Sequence, residues 1–288
     1  MADIGLVETS ENPIRRLVGD HPMATFVVLA YALSWMTIPF LGDPIGTGPF
    51  LAAVIVLFLT QGSPGVRSLG RQMIKWRVGW RWYAFAILLP TVTAGAAAVI
   101  AILLGAATPP SDQVALWVEI PVNFVLWLLI PLLGPWEEPG FRGFALTRLT
   151  KTQSVLVASL IIGAIHVFWH IPLFFTGEIP ASDVVWIVAA SIVFAFLVIR
   201  SGGSVLLAMM MHAANNVVSG EYVSTLFTGD DVVLQGWVRA ILWCVIAFVV
   251  VLVAGRSFTT RPAPDQLPVE PALDRAGHRT QSDKRRLS

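Results

Sequence analysis

Charge is scarce in this sequence. Lys, Arg, Asp and Glu make up 13% of its 288 residues, about half of the roughly 25% found in a soluble domain. The hydrophobic share is 56% and the mean hydropathy +0.73. That deficit excludes an ordinary soluble domain and leaves a polytopic membrane protein. Neither sign of charge dominates: the net charge is +1, which argues against the basic face of a nucleic-acid binder. Cysteine is down to one residue, Cys244, in an apolar run. No internal disulfide framework can therefore form, and the thiol reads as a small core or lipid-facing side chain. The first 22 residues lack the early, short apolar core of a cleavable signal peptide, so the first span is expected to act as an uncleaved anchor.

What the chain has in abundance is apolar runs close to the ~20 residues that cross a hydrocarbon core as a helix. They cover 23–41, 48–61, 83–106, 114–149 (one crossing, interrupted near Pro131, Gly134 and Pro135), 154–175, 184–199, 204–218 and 237–255. The fold class expected is all-α, a polytopic transmembrane helix bundle of about eight spans. Loop charges agree with this count. Basic connections (Arg15 and Arg16; Arg67, Arg71, Lys75, Arg77 and Arg81; Arg148 and Lys151; Arg200; the stretch from Arg256) alternate with acidic ones (Asp43; Asp112; Glu178 and Asp183; Glu221, Asp230 and Asp231). The excess of Lys and Arg marks cytoplasmic loops, so both termini are expected in the cytoplasm. Arg239 is the exception to the alternation. The expected organisation is a polar segment 1–22, a transmembrane domain 23–255 and a polar, proline-bearing tail 256–288 too poor in apolar area to fold. The mixture of Arg and Trp over 67–82, with Trp76, Trp80 and Trp82, reads as an interface anchor.

Against this background Trp136-Glu137-Glu138-Pro139-Gly140-Phe141-Arg142 stands out, with two carboxylates and a guanidinium inside an apolar region. Each costs at least about 2.5 kcal/mol at membrane depth, so partners and a purpose are expected. Glu138 and Arg142 stand four apart, acid first, and on a helix share a face. Pro139 is tolerated only in a first helical turn, which puts the helix start at the glutamates. If Glu138 pairs with Arg142, Glu137 is left as the free carboxylate, suited to general-base work. His166 and His170, and then His212 and Asn216, repeat the four-residue spacing, and Pro172 interrupts the helix just past His170. An isolated intramembrane His or Asn is often interhelical glue of about 0.6 kcal/mol. Two glutamates, an arginine, three histidines and an asparagine in three spans point to one shared site. Membrane-buried Glu and His also serve proton- or ion-coupled carriers, although carriers built from repeats place such residues in both halves, and here they fall in one.

The three motifs in this order, Glu137-Glu138-x-x-x-Arg142, then x-x-x-His170 within Phe-Trp-His-Ile-Pro, then His212-x-x-x-Asn216, resemble the CAAX prenyl protease and bacteriocin-processing (CPBP, or ABI) family of intramembrane proteases. The resemblance covers 137–216. It implies an endopeptidase that hydrolyses a peptide bond of a membrane-associated protein or peptide. Glu137 would activate water, His170 would assist it, His212 and Asn216 would stabilise the oxyanion, and Arg142 would hold Glu138. A non-catalytic scaffold of the same family is the alternative. The family usually carries an aromatic where this chain has His166. That substitution makes a zinc site feasible, with candidate ligands Glu137, His166, His170 and His212, although metal-independent chemistry or a weakly held metal is the favoured reading. The composition suits the plasma membrane of a bacterium, with the lipid bilayer as surroundings.

Overall fold

The computed structural model describes residues 13–110 and 116–261. The segment 1–12 and the tail from 262 lie outside the described residues. Of the expected unfolded tail 256–288, the described start is ordered instead, with a short helix Arg256–Thr259 anchored by Phe258, 2% exposed. Among the described residues there is no strand, and the architecture is the expected all-α helix bundle. Helices α1 (Pro13–Asp20), α2 (Pro22–Trp35), α3 (Ile38–Leu41), α4 (Thr47–Gln61), α5 (Ser63–Met73) and α6 (Trp80–Leu103) form the first half. Then follow α7 (Ile120–Leu129), a 3-10 turn Gly134–Glu137, a first π turn Pro139–Ala145 and α8 (Leu146–Leu149). The second half comprises α9 (Val155–Trp169), α10 (Ile171–Thr176), α11 (Ser182–Arg200), α12 (Val205–Ala214), a second π turn Asn215–Val223, α13 (Asp230–Ala254) and α14 (Arg256–Thr259). All eight expected stretches are largely helical. Among the described residues, five segments are long and apolar enough to cross a membrane: Pro22–Leu41, Trp80–Leu103, Trp117–Glu137, Ser182–Arg200 and Asp230–Ala254.

Some helix faces bury small residues and turn large ones outward, while Phe26, Phe141 and Trp243 fill the centre. On α6, Ala86, Ala94 and Ala97 are 0–1% exposed, whereas Leu88, Val92 and Val99 are 55–64% exposed. This inversion of the soluble pattern is what lipid demands, because tails solvate Leu and Val as well as a protein interior does, and only close backbone approach favours association. Cys244 belongs to the exposed face of α13. The central post is α11, packed against α9, α12 and α13, with Val193 and Leu197 fully buried. Trp76 and Trp80 are exposed at 62% and 81%, and the guanidinium of Arg77 lies 5.1 Å from the Trp76 ring, an arrangement suited to a headgroup layer.

The break between α7 and the 3-10 turn positions the site. Carbonyls freed at membrane depth need partners, and the start of α4 supplies them. Thr47 Oγ1 donates to the carbonyl of Pro131, and the Gly46 N–H donates to the carbonyl of Leu132 at 3.0 Å. Gly140 allows α4 to come this close, since a Cβ there would stand 2.5 Å from the carbonyl oxygen of Pro49.

Candidate active site

Each motif contains an irregularity in a helix. Glu137 ends the 3-10 turn, Glu138 caps the first π turn, and Pro139 opens it, as the proline predicted. His170 is the joint between α9 and α10, just ahead of Pro172. Asn216 falls in the second π turn directly after α12. Such π turns are rare and concentrate at functional sites. The two histidine helices are fixed at their starts by serine caps: Ser154 Oγ accepts from the Val157 N–H at 3.2 Å and Ser204 Oγ from the Leu207 N–H at 3.4 Å.

The predicted residues assemble in two arms. In the first, Glu137 Oε2 lies 2.6 Å from His166 Nε2, so Glu137 is not the free carboxylate that spacing alone suggested. His166 takes the bond because α9 carries it directly beside the 3-10 turn. His170 Nδ1 lies 2.9 Å from the carbonyl oxygen of His166. A carbonyl only accepts, so Nδ1 carries the proton and, in the neutral ring, Nε2 keeps its lone pair. In the second arm Glu138 Oε1 receives His212 Nδ1 at 2.8 Å and Arg142 Nη1 at 3.3 Å, and Arg142 Nε stands 3.3 Å from Glu138 Oε2. Arg142 Nη2 donates to Ser191 Oγ at 3.2 Å, and its guanidinium lies 4.8 Å from the Phe194 ring. Glu137, Glu138 and Arg142 are at most 3% exposed. A cavity of about 10 Å³ lined by Glu138, Arg142, His166, Trp186, Phe194 and His212 lies between the arms, about enough for one water.

His212 and Asn216 meet over Gly134. A Cβ on Gly134 would be 2.8 Å from both His212 Nε2 and Asn216 Nδ2, so the two nitrogens converge on one place, and only glycine leaves it open. Asn215 Nδ2 donates to Asn216 Oδ1 at 3.2 Å, which orients the Asn216 amide with its nitrogen toward His212. Spacing had not singled out Gly134, Ser191 or Asn215. Gly134 read only as a helix breaker, and nothing in one sequence tells a buried serine of α11 from any other.

Ligand atoms of Glu137, His166 and His170 all lie within 4.8 Å of one another. The backbone bond at His170 Nδ1 is the kind of outer contact that orients a metal-binding imidazole, and two histidines with a glutamate suit zinc. The donor set therefore fits a metal. His212, the fourth ligand the sequence allowed, pairs with Glu138 instead and lies outside this cluster.

A helical membrane bundle with paired carboxylates and histidines at its centre defines the class, a multi-pass membrane protein with a buried polar site. Residues 119–218 match the family described as type II CAAX prenyl endopeptidase Rce1-like, a range that encloses all seven motif residues. The chain is also similar to a protein named CAAX prenyl protease 2 from Methanococcus maripaludis, 28% identical over 105 residues, 32% of this chain and 38% of that protein. It thus spans under two fifths of that relative's length. The family resemblance read from the three motifs is borne out.

Proposed function

We propose that this chain is an intramembrane endopeptidase that hydrolyses a peptide bond of a membrane-associated protein or peptide. The observation that carries the reading is the pair of adjacent buried carboxylates, each bonded to its own histidine. Bonded to His166 through Oε2, Glu137 keeps Oε1 for a water, and His170 Nε2 offers a second contact to the same water. Glu137 takes a proton as the water oxygen attacks the scissile carbonyl. The resulting oxyanion is met by Asn216 Nδ2–H and, in the imidazolium form, by His212 Nε2–H. Fixed donors of this kind, in a site without bulk water, are worth about 3–4 kcal/mol each to the transition state. Glu138 balances the imidazolium while Arg142 holds Glu138. Glu137 then returns its proton to the leaving amine, and the C–N bond breaks.

A zinc ion held by Glu137, His166 and His170 would supply Lewis-acid polarisation and a more acidic water. The roles of the remaining groups do not depend on it. An apolar groove of about 460 Å³, lined by Val27, Tyr31, Trp35, Ile161, Ile165 and Phe168, runs beside the helix that carries His166. It suits a substrate that arrives with an apolar chain, as the name of the archaeal relative suggests for its own substrates. The compartment we assign is the plasma membrane, with both termini in the cytoplasm.

The test is a comparison of membrane-protein N- and C-termini in cells carrying the wild type or Glu137→Gln at matched expression. New ends that disappear with the substitution establish proteolysis and name a substrate. Identical ends, with both proteins stably inserted, reject the protease reading in favour of a carrier or a scaffold.

A further inference from the structure

Arg239 broke the alternation of loop charges, and its surroundings explain why it is there. It is the tenth residue of α13, about 14 Å along the helix from its first residue at 1.5 Å per residue, and is 8% exposed. Arg239 Nη2 pairs with Asp183 Oδ1 on α11, and Nη1 donates to Ser219 Oγ in the second π turn at 2.8 Å. Its guanidinium also lies 5.0 Å from the ring of Trp186. Three separate elements therefore meet at one side chain.

Stability alone is a weak reason for this arrangement. Desolvating a buried ion pair offsets most of the attraction between its charges. Here four further buried polar atoms, Ser182 Oγ, Trp186 Nε1, Gln235 Nε2 and Arg239 Nε, have no hydrogen-bond partner, so the seam is under-satisfied. What a planar guanidinium does well is fix direction, since its rigid fork sets the angle between two acceptors. Both acceptors belong to elements that frame the candidate site. Ser219 stands three residues after Asn216 in the same π turn. Asp183 stands one helical turn before Trp186 and Ile187, which line the cavity shared with Glu138, His166 and His212.

We propose that Arg239 is a positioning residue: by clasping Ser219 and Asp183 it holds the second π turn against α11, so that Asn216 Nδ2 and His212 Nε2 stay converged over Gly134. This rests on the protease reading for its catalytic consequence, but the clasp itself does not. A π turn is a helix with a surplus residue and competing registers, and Ser219 is the point at which one register is pinned from outside.

The least disruptive test is Ser219→Ala in the full chain, reconstituted in nanodiscs. Amide hydrogen exchange is expected to speed up by about tenfold over 215–223, the effect of one lost hydrogen bond, with 139–145 unchanged. Cleavage of a Glu137-dependent substrate is expected to lose about tenfold in kcat with KM unchanged, and Ser219→Thr is expected to restore both. Because Arg239→Met alone strands Asp183, the companion variant is Arg239→Met with Asp183→Leu, which removes both charges together and is expected to reproduce the kcat loss while staying folded. Wild-type exchange over 215–223 in both variants overturns the clasp. So does faster exchange with kcat unaltered, for its positioning role. If the wild type shows no Glu137-dependent cleavage, the protease reading fails by itself, and the exchange experiment still decides whether the clasp exists.

Discussion

Arg142 and Arg239 are both buried, both lean on α11 and both sit among apolar residues, yet they are held in opposite ways. Arg142 finds its acid four residues back in its own turn, and that acid, Glu138, has His212 as a second partner. Arg239 finds its acid 56 residues away, on another helix. Among the described residues Asp183 makes no second ion pair. The local pair is a self-contained unit that the chain can form as soon as the turn forms. The distant pair exists only when three elements have already docked. One arginine therefore furnishes the site, and the other reports on, and helps set, the packing around it.

The largest expected effect lies on the local side. Glu137→Gln keeps the shape and the contact with His166 but removes the base, and cleavage is expected to fall by about 10²–10⁴-fold with an unchanged unfolding temperature, read by proteolysis assay and thermal unfolding on one preparation. Next come the arginines themselves. Arg239→Met leaves Asp183 buried without a cation and is expected to cost about 3–5 kcal/mol. Arg142→Met is expected to cost less, because His212 still faces Glu138. Chemical denaturation of both variants in detergent checks the order, and the reverse order would break the contrast between a shared acid and a lone one. Smaller still is Gly134→Ala. The new methyl would sit 2.8 Å from His212 Nε2 and Asn216 Nδ2, and the expectation is a kcat loss of at least about tenfold, equal to roughly 1.4 kcal/mol of transition-state stabilisation, with a wild-type KM and fold.

The same contrast explains what could be read in advance. The helical bundle, the start of a helix at Pro139, the joint at His170 and the pairing of Glu138 with Arg142 all follow from hydropathy, proline chemistry and four-residue spacing, which are local properties. The spacing held even though both motif helices run as π turns there, because residues four apart still share a face on the wider coil. What escaped were contacts across the bundle. His166 was legible as a departure from the family pattern, but its bond to Glu137 depends on how α9 meets the 3-10 turn. Gly134 carries no side chain to advertise its place under His212 and Asn216. Arg239 was visible only as a charge on the wrong side, with no hint of Asp183 or Ser219. Four-residue spacing could put each pair on one helix face but could not say which histidine takes which carboxylate.

The smallest expected effect sharpens the comparison from the other flank of the second π turn. There Tyr222 accepts at its hydroxyl from Asn123 Nδ2 at 2.7 Å, and Glu221 Oε1 accepts from Trp127 Nε1 at 2.6 Å, tying the turn to α7. None of the residues of α7 is buried, so these are uncharged or half-exposed contacts of the sort that average about 0.6 kcal/mol between membrane helices. Tyr222→Phe is accordingly expected to lower stability by about that amount and to leave cleavage within twofold of wild type. A change this slight, beside a tenfold loss for Ser219→Ala, would mean that the turn is gripped from the Arg239 side and merely touched from the α7 side. If Tyr222→Phe instead matches Ser219→Ala in kcat, the register is held jointly by both flanks. Arg239 would then be one of two anchors, and the helix that leads into Glu137 would be mechanically linked to the one that carries Asn216.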